Sequence, residues 1–164
     1  MSPLRTFRDA ALADATLVAR IVNLAYEIEK FFVDGERTSP DEVRVLLGKG
    51  RFIVMEEDHE PVGCVYLELK DGRGFFAMLS VLPALQGGGR GRALVEVVER
   101  TCRDAGCAAV ELYVVDLREE LPAFYARLGY RPIAEKPFES PVLKRPAKFI
   151  VYSKSLGAAR SAHE

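Results

Sequence analysis

Four glycines close together form the segment of this chain best suited to chemistry: Gly87, Gly88, Gly89 and Gly91. An apolar run, residues 75–82, precedes them, and the residues after them place apolar side chains at helical spacing. A helix start presents unpaired backbone N–H groups and a partial positive charge, and glycines let the preceding backbone close on a phosphate. Hydrogen bonds to a charged acceptor contribute roughly 1.5–3 kcal/mol each. The segment therefore predicts a phosphate-binding loop, with a glycine turn that binds nothing as the alternative.

The spacing of these glycines excludes two common phosphate-binding motifs. A Walker loop ends in Lys-Ser or Lys-Thr, and neither pair follows here. A dinucleotide fingerprint requires glycine or alanine at positions where the two registers of this loop have Arg92 and Leu94. Residues 86–91, Gln-Gly-Gly-Gly-Arg-Gly, do fit Q-x-x-G-x-G. Gln86 therefore joins the loop, and the arginines Arg90 and Arg92 are expected to add positive charge at its rim.

Residues 86–91 resemble the coenzyme A pyrophosphate loop of the GNAT family of N-acetyltransferases. The preceding segment, residues 79–83, is similar to the strand that leads into that loop. Residues 124–130, Phe-Tyr-Ala-Arg-Leu-Gly-Tyr, are similar to the family's F-Y-x-x-L-G-[FY] segment. With both segments the resemblance covers roughly residues 4–156. The cofactor-binding residues that it implies are Leu79, Ser80, Val81, Gln86, Gly87, Gly88, Gly89, Arg90, Gly91, Arg92, Asp116 and Tyr125.

The resemblance implies direct transfer of an acetyl group from acetyl-CoA, as co-substrate, to a primary amine of a small molecule or peptide. The Tyr125 hydroxyl is implied to protonate the departing thiolate, whereas an isolated tyrosine would more often be packing. A backbone N–H at or beside Leu79 is implied to hydrogen-bond the thioester oxygen. The catalytic candidates are therefore Tyr125 and Leu79.

The residue that would deprotonate the amine is not evident. Many family members place a glutamate on the fourth strand, but residues 75–80 contain no carboxylate. Deprotonating a lysine-like amine at pH 7 costs roughly 4.6 kcal/mol. Glu27 or Glu29 could act through water, and Tyr113 or Asp116 could lie near the cofactor slot. The missing carboxylate also supports an alternative function, a catalytically weak acyl-CoA-binding regulatory domain.

Acidic and aromatic residues cluster near the end of the first predicted helix, which starts after Asp14 and is predicted to reach Lys30. They include Tyr26, Glu27, Glu29 and Phe31. These side chains can form an exposed pocket for a cationic or aromatic substrate, or they can be core aromatics beside solvated glutamates. The resemblance favours substrate binding, because this region commonly lines the acceptor site in the family.

The composition of the chain restricts which partners it is expected to bind and in which compartment it is expected to work. The chain has 164 residues, is 49% hydrophobic and 29% charged, and has a net charge of −1, so nothing in its charge favours nucleic acid or an anionic membrane. No apolar run reaches the length of a membrane span or a signal peptide. The chain has three cysteines without a C-x-x-C pair and two histidines, so it offers few ligands for a metal site. We expect a reduced, cytoplasmic protein without a metal; homodimers are frequent in such folds.

The predicted elements place the loop after four strands. Strands are predicted at 4–7, 51–57, 61–70, 75–82, 109–115, 131–135 and 149–156, and helices at 15–30, 40–47, 92–105 and 121–128, with a loop at 136–148. This order predicts an α/β chain with an α+β-type mixed sheet. The resemblance implies a GNAT-like fold whose mostly antiparallel sheet of about six or seven strands is flanked by about four helices and splayed between strands four and five. We expect one acetyltransferase domain over residues 1–156 and a flexible tail over 157–164.

Overall fold

The computed structural model describes residues 2–157 of the chain. Its strands are β1 (Arg5–Asp9), β2 (Arg51–Glu57), β3 (Glu60–Lys70), β4 (Arg73–Val81), β5 (Ala109–Val115), β6 (Arg131–Phe138) and β7 (Ala147–Ser155). Its α-helices are α1 (Ala15–Ala25), α2 (Pro40–Leu47), α3 (Arg90–Asp104) and α4 (Leu121–Arg127). In this part of the chain no helix is long and apolar enough to cross a membrane. Apart from Gly157, the predicted tail lies outside the described residues.

Within residues 2–157 the strands form one mixed sheet in the order β1-β2-β3-β4-β5-β7-β6. β1 pairs with β2, β2 with β3, and β7 with both β5 and β6, all antiparallel. β4 and β5 are parallel, because the α3 crossover returns the chain to the same end of the sheet. Their pairing joins Arg73–Phe75 to Ala109–Glu111, although β4 continues to Val81 and β5 to Val115. The predicted GNAT-like fold, with its splay between these strands, is confirmed.

Internal contacts divide the described chain into two compact units. The first unit contains residues 2–27, 36–68 and 76–98, and the second contains residues 28–35, 69–75 and 99–157. The single domain over residues 1–156 stays a prediction.

The first unit is built on the apolar face of α1. Its buried positions, Ala15, Val18, Ala19, Ile21 and Val22, recur at helical spacing. They share one core cluster with residues of α2, β2 and β3: Val43, Phe52, Val54, Cys64 and Tyr66. Fully burying a valine- or isoleucine-sized side chain contributes about 1.5–3 kcal/mol, so this face fixes α1 on the sheet.

The second unit is built on β5 and its antiparallel partner β7. Val110, Leu112 and Val114 alternate along β5 and are buried, whereas Tyr113 between them is 41% exposed. On β7, Val151 and Tyr152 are buried. The alternation indicates a strand with one covered face. On that face Leu112 lies opposite Tyr152, whose ring belongs to the cluster around Tyr125 described below.

α1 is shorter than its sequence pattern predicts. The α-helix ends at Ala25 instead of Lys30, and a 3₁₀ helix, Glu27–Phe31, follows it. Beyond Ala25 the next apolar residue in the periodic pattern, Ile28, is 55% exposed, so no buried face sustains the α-helix. Asp14 does stand at the N-cap position, but its carboxylate binds the Arg8 guanidinium instead of the first turn of α1.

The predicted loop at residues 136–148 is partly wrong, because β6 continues through Pro137 to Phe138. Three prolines in this stretch indicated irregular structure. β6 is an edge strand, however, and an edge strand tolerates a residue that cannot donate to the ladder. The Phe138 ring stacks on the Phe149 ring of β7, with centroids 4.4 Å apart, and this contact holds the extension in place.

The Ser39 side chain caps α2 as its position before Pro40 predicts. The Ser39 hydroxyl oxygen accepts a hydrogen bond from the Glu42 N–H at 3.1 Å. We predict that Ser39→Ala lowers the free energy of unfolding by about 1 kcal/mol, because one N–H of the first turn loses its partner. Urea denaturation measures the change. Ser39→Asp keeps an acceptor and should retain most of the stability; an equal loss in both variants would contradict the capping role.

Candidate functional site

The glycine loop connects β4 to α3 and lies wholly within the first unit. A 3₁₀ turn, Pro83–Leu85, follows β4. Gly87 and Gly89 then have φ values of 88° and 84°, in the left-handed region that favours glycine. Arg90 begins α3. The glycines therefore allow a sharp change of direction immediately before a helix.

The backbone N–H groups of residues 87–92 are the chemical feature of this loop. The Ala93 N–H donates to the Gly89 carbonyl at 3.0 Å and starts the helical pattern. Within residues 2–157, no N–H group of residues 87–92 donates a hydrogen bond to another group. Unpaired N–H groups at a helix start, with the partial positive charge of the helix, are the arrangement that binds phosphate.

The Gln86 side chain fastens the loop to the strand before it. Its Nε2 donates to the carbonyl oxygen of Val81, the last residue of β4, at 3.1 Å. The glutamine of the Q-x-x-G-x-G pattern thereby anchors the loop.

The two arginines of the loop have different surroundings. The Arg90 side chain is 19% exposed; its Nε and Nη2 donate to the Glu57 carboxylate, and its Nη1 donates to the Leu85 carbonyl at 2.9 Å. The Arg92 side chain is 64% exposed and pairs with Glu96 one turn along α3. Arg92 therefore lies at the rim as predicted from the sequence, whereas Arg90 is folded into the protein.

Glu57 contacts the glycine loop through Arg90, and the sequence did not reveal this contact. It is the last residue of β2, is 8% exposed, and also accepts from Arg5 of β1, with 2.7 Å between Arg5 Nη2 and Glu57 Oε2. Hydrogen bonds from Arg90 lower the pKa of Glu57 below its usual value; burial opposes this effect and Arg5 adds to it. The only signal was an acid and an arginine 33 positions apart, which sheet register alone brings together.

β4 departs from regular strand geometry at Met78, immediately before the predicted catalytic backbone at Leu79. Met78 has a φ of 56°, which costs a side-chain-bearing residue roughly 1–2 kcal/mol. The buried Ser80 hydroxyl donates to the Met78 carbonyl at 2.9 Å and stabilises this conformation. Backbone strain of this kind is concentrated at functional sites, where it redirects peptide groups.

Tyr125 lies in an aromatic cluster of the second unit. Its ring centroid is 4.9 Å from that of Phe124, 5.9 Å from that of Tyr130 and 6.3 Å from that of Tyr152. Tyr125 is 4% exposed. The four rings hold the side chain of α4 in one orientation, a requirement for a group that transfers a proton.

A buried carboxylate supports this cluster. Glu99 of α3, 5% exposed, accepts from the Tyr130 hydroxyl at 2.8 Å and from the Lys154 Nζ at 3.0 Å. The Lys154 Nζ also donates to the Leu128 carbonyl at 2.8 Å. Burial is the main cause of the raised pKa of Tyr130, and the nearby Glu99 carboxylate raises it further. The Tyr130 hydroxyl therefore stays protonated and donates. This network joins the end of α4 to α3 and β7.

A sequence model of the Acetyltransferase (GNAT) family matches residues 19–130, which include both the glycine loop and Tyr125. The chain belongs to this family. It is therefore an acyltransferase, with acetyl-CoA as co-substrate.

Individual relatives agree with this assignment. The chain is 26% identical over 114 residues to the uncharacterized N-acetyltransferase YjcF of Bacillus subtilis (strain 168), covering 69% of this chain and 79% of that protein. Its fold is similar to that of the ribosomal-protein-S18-alanine N-acetyltransferase from Escherichia coli, with a TM-score of 0.80, 16% identity and coverage of 93% and 94% of the two chains. It is also similar to YncA from Salmonella typhimurium, whose structure contains acetyl-CoA, with a TM-score of 0.70, 22% identity and coverage of 93% and 94%.

The acceptor candidates of this GNAT protein are divided between the two units. Tyr26 and Glu27 belong to the first unit, where the Arg37 guanidinium lies 5.4 Å from the centre of the Tyr26 ring. Glu29 and Phe31 belong to the second unit. A role of these residues in substrate binding stays a prediction.

In the second unit, Glu29 and Phe31 have unlike environments. The Glu29 carboxylate is 12% exposed and lies 2.8 Å from the Arg118 guanidinium. Phe31 is 46% exposed, and the Arg145 guanidinium lies 5.4 Å from the centre of its ring. Glu29 is therefore not a solvated acid, and Phe31 is not a core aromatic.

Asp116, implied to bind the cofactor, closes the end of the β5–β7 pair. Its Oδ1 accepts from the Lys148 N–H at 3.0 Å, and its own N–H donates to the Lys148 carbonyl at 2.9 Å. A role in cofactor binding stays a prediction.

Among residues 2–157, no three or more His, Cys, Asp or Glu side chains lie close enough together to hold a metal ion. The cysteines Cys64, Cys102 and Cys107 are buried free thiols, and burial raises the pKa of Cys64 to about 12.

The Glu99 network yields a stability prediction. We predict that Tyr130→Phe lowers the free energy of unfolding by about 1.5–3 kcal/mol, because a buried carboxylate loses one of its donors. Urea denaturation at pH 7 measures the change. Tyr113→Phe is the control, since Tyr113 is 41% exposed, and should change stability by less than about 0.5 kcal/mol. Equal effects would show that the Tyr130 hydroxyl contributes nothing specific.

Proposed function

We propose that this GNAT protein transfers the acetyl group of acetyl-CoA directly to a primary amine of a small molecule or peptide. The observation that carries the proposal is the row of unpaired N–H groups in residues 87–92 at the start of the 15-residue helix α3. Such donors suit a pyrophosphate, and hydrogen bonds to a charged acceptor are among the strong ones. A homodimer and a cytoplasmic location remain predictions of the sequence.

The donor is proposed to lie along the end of β4. The pyrophosphate binds the N–H groups of the glycine loop, and the pantetheine arm pairs with backbone groups of residues 79–82. A backbone N–H at Leu79 then donates to the thioester oxygen as negative charge develops there, which is worth about 2.7–4 kcal/mol for one such donor in other enzymes. The strained backbone at Met78 supports this assignment, because it redirects the adjoining peptide groups.

Tyr125 is proposed as the general acid. The neutral amine nitrogen attacks the thioester carbon, the carbon–sulfur bond breaks, and the departing sulfur takes the Tyr125 proton. The nitrogen releases its excess proton to solvent as the amide forms, and the Tyr125 phenolate takes a proton back from solvent. Proton transfer by a positioned side chain typically contributes 10²–10⁴-fold to a rate. The aromatic cluster around Tyr125 supports the role, because it restricts the ring to one orientation.

The amine must lose a proton before it attacks. β4 has no carboxylate among residues 75–81, and the acids Glu29 and Asp116 already accept from Arg118 and from the Lys148 N–H. We therefore propose that the ammonium gives its proton to water rather than to a side chain of β4. The rate should then depend on the small neutral fraction of the amine, which grows tenfold with each pH unit below the pKa of the amine.

The loop assignment predicts the effect of a negative charge among the N–H donors. Gly89→Asp should abolish coenzyme A binding in calorimetry, because a carboxylate repels the pyrophosphate and the φ of 84° strains any side chain. Gly106→Asp is a matched control: Gly106 has a φ of 80°, with open space around an added Cβ, and follows α3 at its far end. Retained affinity in Gly89→Asp, or equal loss in both variants, would remove the loop as the phosphate site.

The acid assignment predicts a separate effect. Tyr125→Phe should lower kcat by about 10²-fold or more and leave the affinity for coenzyme A within about twofold, because only the hydroxyl is removed. Tyr152→Phe, in the same aromatic cluster, should keep kcat. A Tyr125→Phe enzyme with unchanged kcat would exclude Tyr125 as the acid.

The absence of a carboxylate on β4 favours a second candidate, an acyl-CoA-binding regulatory domain with little turnover. Thiol release from acetyl-CoA in the presence of a broad panel of primary amines separates the two functions. Release above the rate of hydrolysis with any amine supports the transferase. Tight coenzyme A binding without amine-dependent release across the panel supports the regulatory domain.

A further inference from the structure

We infer that Glu57 is a positioning residue for the coenzyme loop, acting through Arg90, and that the Arg90 charge serves the shape of the loop instead of contacting the phosphate. This inference rests on the proposed pyrophosphate site. The residues concerned all belong to the first unit.

The Arg90 guanidinium is occupied on two sides by the protein itself. Its Nε lies 3.1 Å from both carboxylate oxygens of Glu57, and its Nη2 lies 2.9 Å from Oε1. Its Nη1 donates to the Leu85 carbonyl at 2.9 Å. A planar guanidinium fixed in this way has a single orientation, unlike a flexible surface cation.

These contacts join the two ends of the glycine loop. Leu85 ends the 3₁₀ turn before the loop, and Arg90 is the first residue of α3 after it. A Cβ atom added to Gly88 would lie 2.8 Å from Arg90 Nη1. A side chain at position 88 would therefore displace the Arg90 guanidinium, and the Arg90 side chain supports the loop from within.

Glu57 is itself fixed from the other side. Arg5 donates to Glu57 Oε2 from Nε at 3.0 Å and from Nη2 at 2.7 Å. One buried carboxylate is therefore held between two guanidinium groups that belong to β1 and to the start of α3. Removing the carboxylate would leave two cations facing one another without the negative charge between them, so the guanidinium of Arg90 would leave its position.

The direction in which the KM for acetyl-CoA changes separates two roles for Arg90, phosphate binding and positioning of the loop. Glu57→Gln removes a negative charge beside the loop, so if Arg90 acted as a phosphate-binding charge, the KM for acetyl-CoA should fall. If Glu57 and Arg90 act by holding the loop, the KM should rise by about tenfold or more, while kcat stays within about twofold. Glu56→Gln is the matched control, because Glu56 is the neighbouring acid of β2 and pairs with Arg8 at 2.9 Å; it should keep the KM of the unmodified protein.

A donor without pyrophosphate excludes a general structural effect. With S-acetylpantetheine, which lacks the pyrophosphate, Glu57→Gln should change KM by less than about twofold. An equal rise for S-acetylpantetheine and acetyl-CoA would overturn the inference, as would a lower KM for acetyl-CoA.

Two further variants keep the test decisive if Glu57→Gln does not fold. Arg90→Lys keeps the charge but not the forked geometry, so it should raise the KM for acetyl-CoA; a KM equal to that of the unmodified protein would overturn the inference. As a single substitution, Gly88→Ala should raise the KM for acetyl-CoA. In an Arg90→Ala background it should raise the KM no further, because the guanidinium that the added methyl group would contact is absent. Additive effects would contradict the contact between them.

Failure here is distinguishable from failure of the proposed function. If Gly89→Asp abolishes coenzyme A binding while Glu57→Gln leaves the KM unchanged, the loop is the phosphate site and Glu57 does not position it. If Gly89→Asp retains binding, the loop itself is not the site.

Discussion

The N–H groups of residues 87–92 point to no acceptor within the described chain, and a loop of this kind cannot be held by its own backbone hydrogen bonds. Ordering one residue costs about 1–2 kcal/mol of conformational free energy, and glycines lose more freedom than other residues. Side chains supply the missing constraint: Gln86 ties the loop to Val81, and Arg90 ties both its ends together. Phosphate binding by the backbone therefore depends on side chains that need not touch the phosphate.

Each unit contains a buried carboxylate held by two strong donors. Glu57 lies between Arg5 and Arg90 in the first unit, and Glu99 lies between Tyr130 and Lys154 in the second. Removing one donor leaves a buried charge less well compensated, which is unfavourable. The residues proposed for binding and for proton transfer are thus each attached to a polar network that permits few alternative arrangements.

The parts of this protein that could be predicted from the sequence are those with local signals. The glycine pattern with a strand before it and a helix after it, and the Phe124–Tyr130 segment, both depend on partners within a few residues. The Ser39 cap belongs to the same class. Short-range geometry and hydrophobic periodicity determine these features. The fold and the position of the loop could therefore be predicted from the sequence.

The features that could not be predicted from the sequence depend on sheet register or on which apolar side chains remain exposed in the fold. The Glu57–Arg90 contact joins residues 33 positions apart, and the Arg118–Glu29 pair joins residues 89 positions apart. The positive φ of Met78 has no sequence signal, since the residue is not a glycine. α1 ended early because its apolar pattern had no surface to bury beyond Ala25, and β6 was extended because an edge strand accepts Pro137.

The most direct test of this account is the amide spectrum of the ¹⁵N-labelled protein during titration with coenzyme A and, separately, with pantetheine. If the N–H groups of residues 87–92 bind the pyrophosphate, their proton resonances should move downfield with coenzyme A and stay in place with pantetheine. Saturation with coenzyme A without a shift in these amides, or an equal shift with pantetheine, would contradict the account.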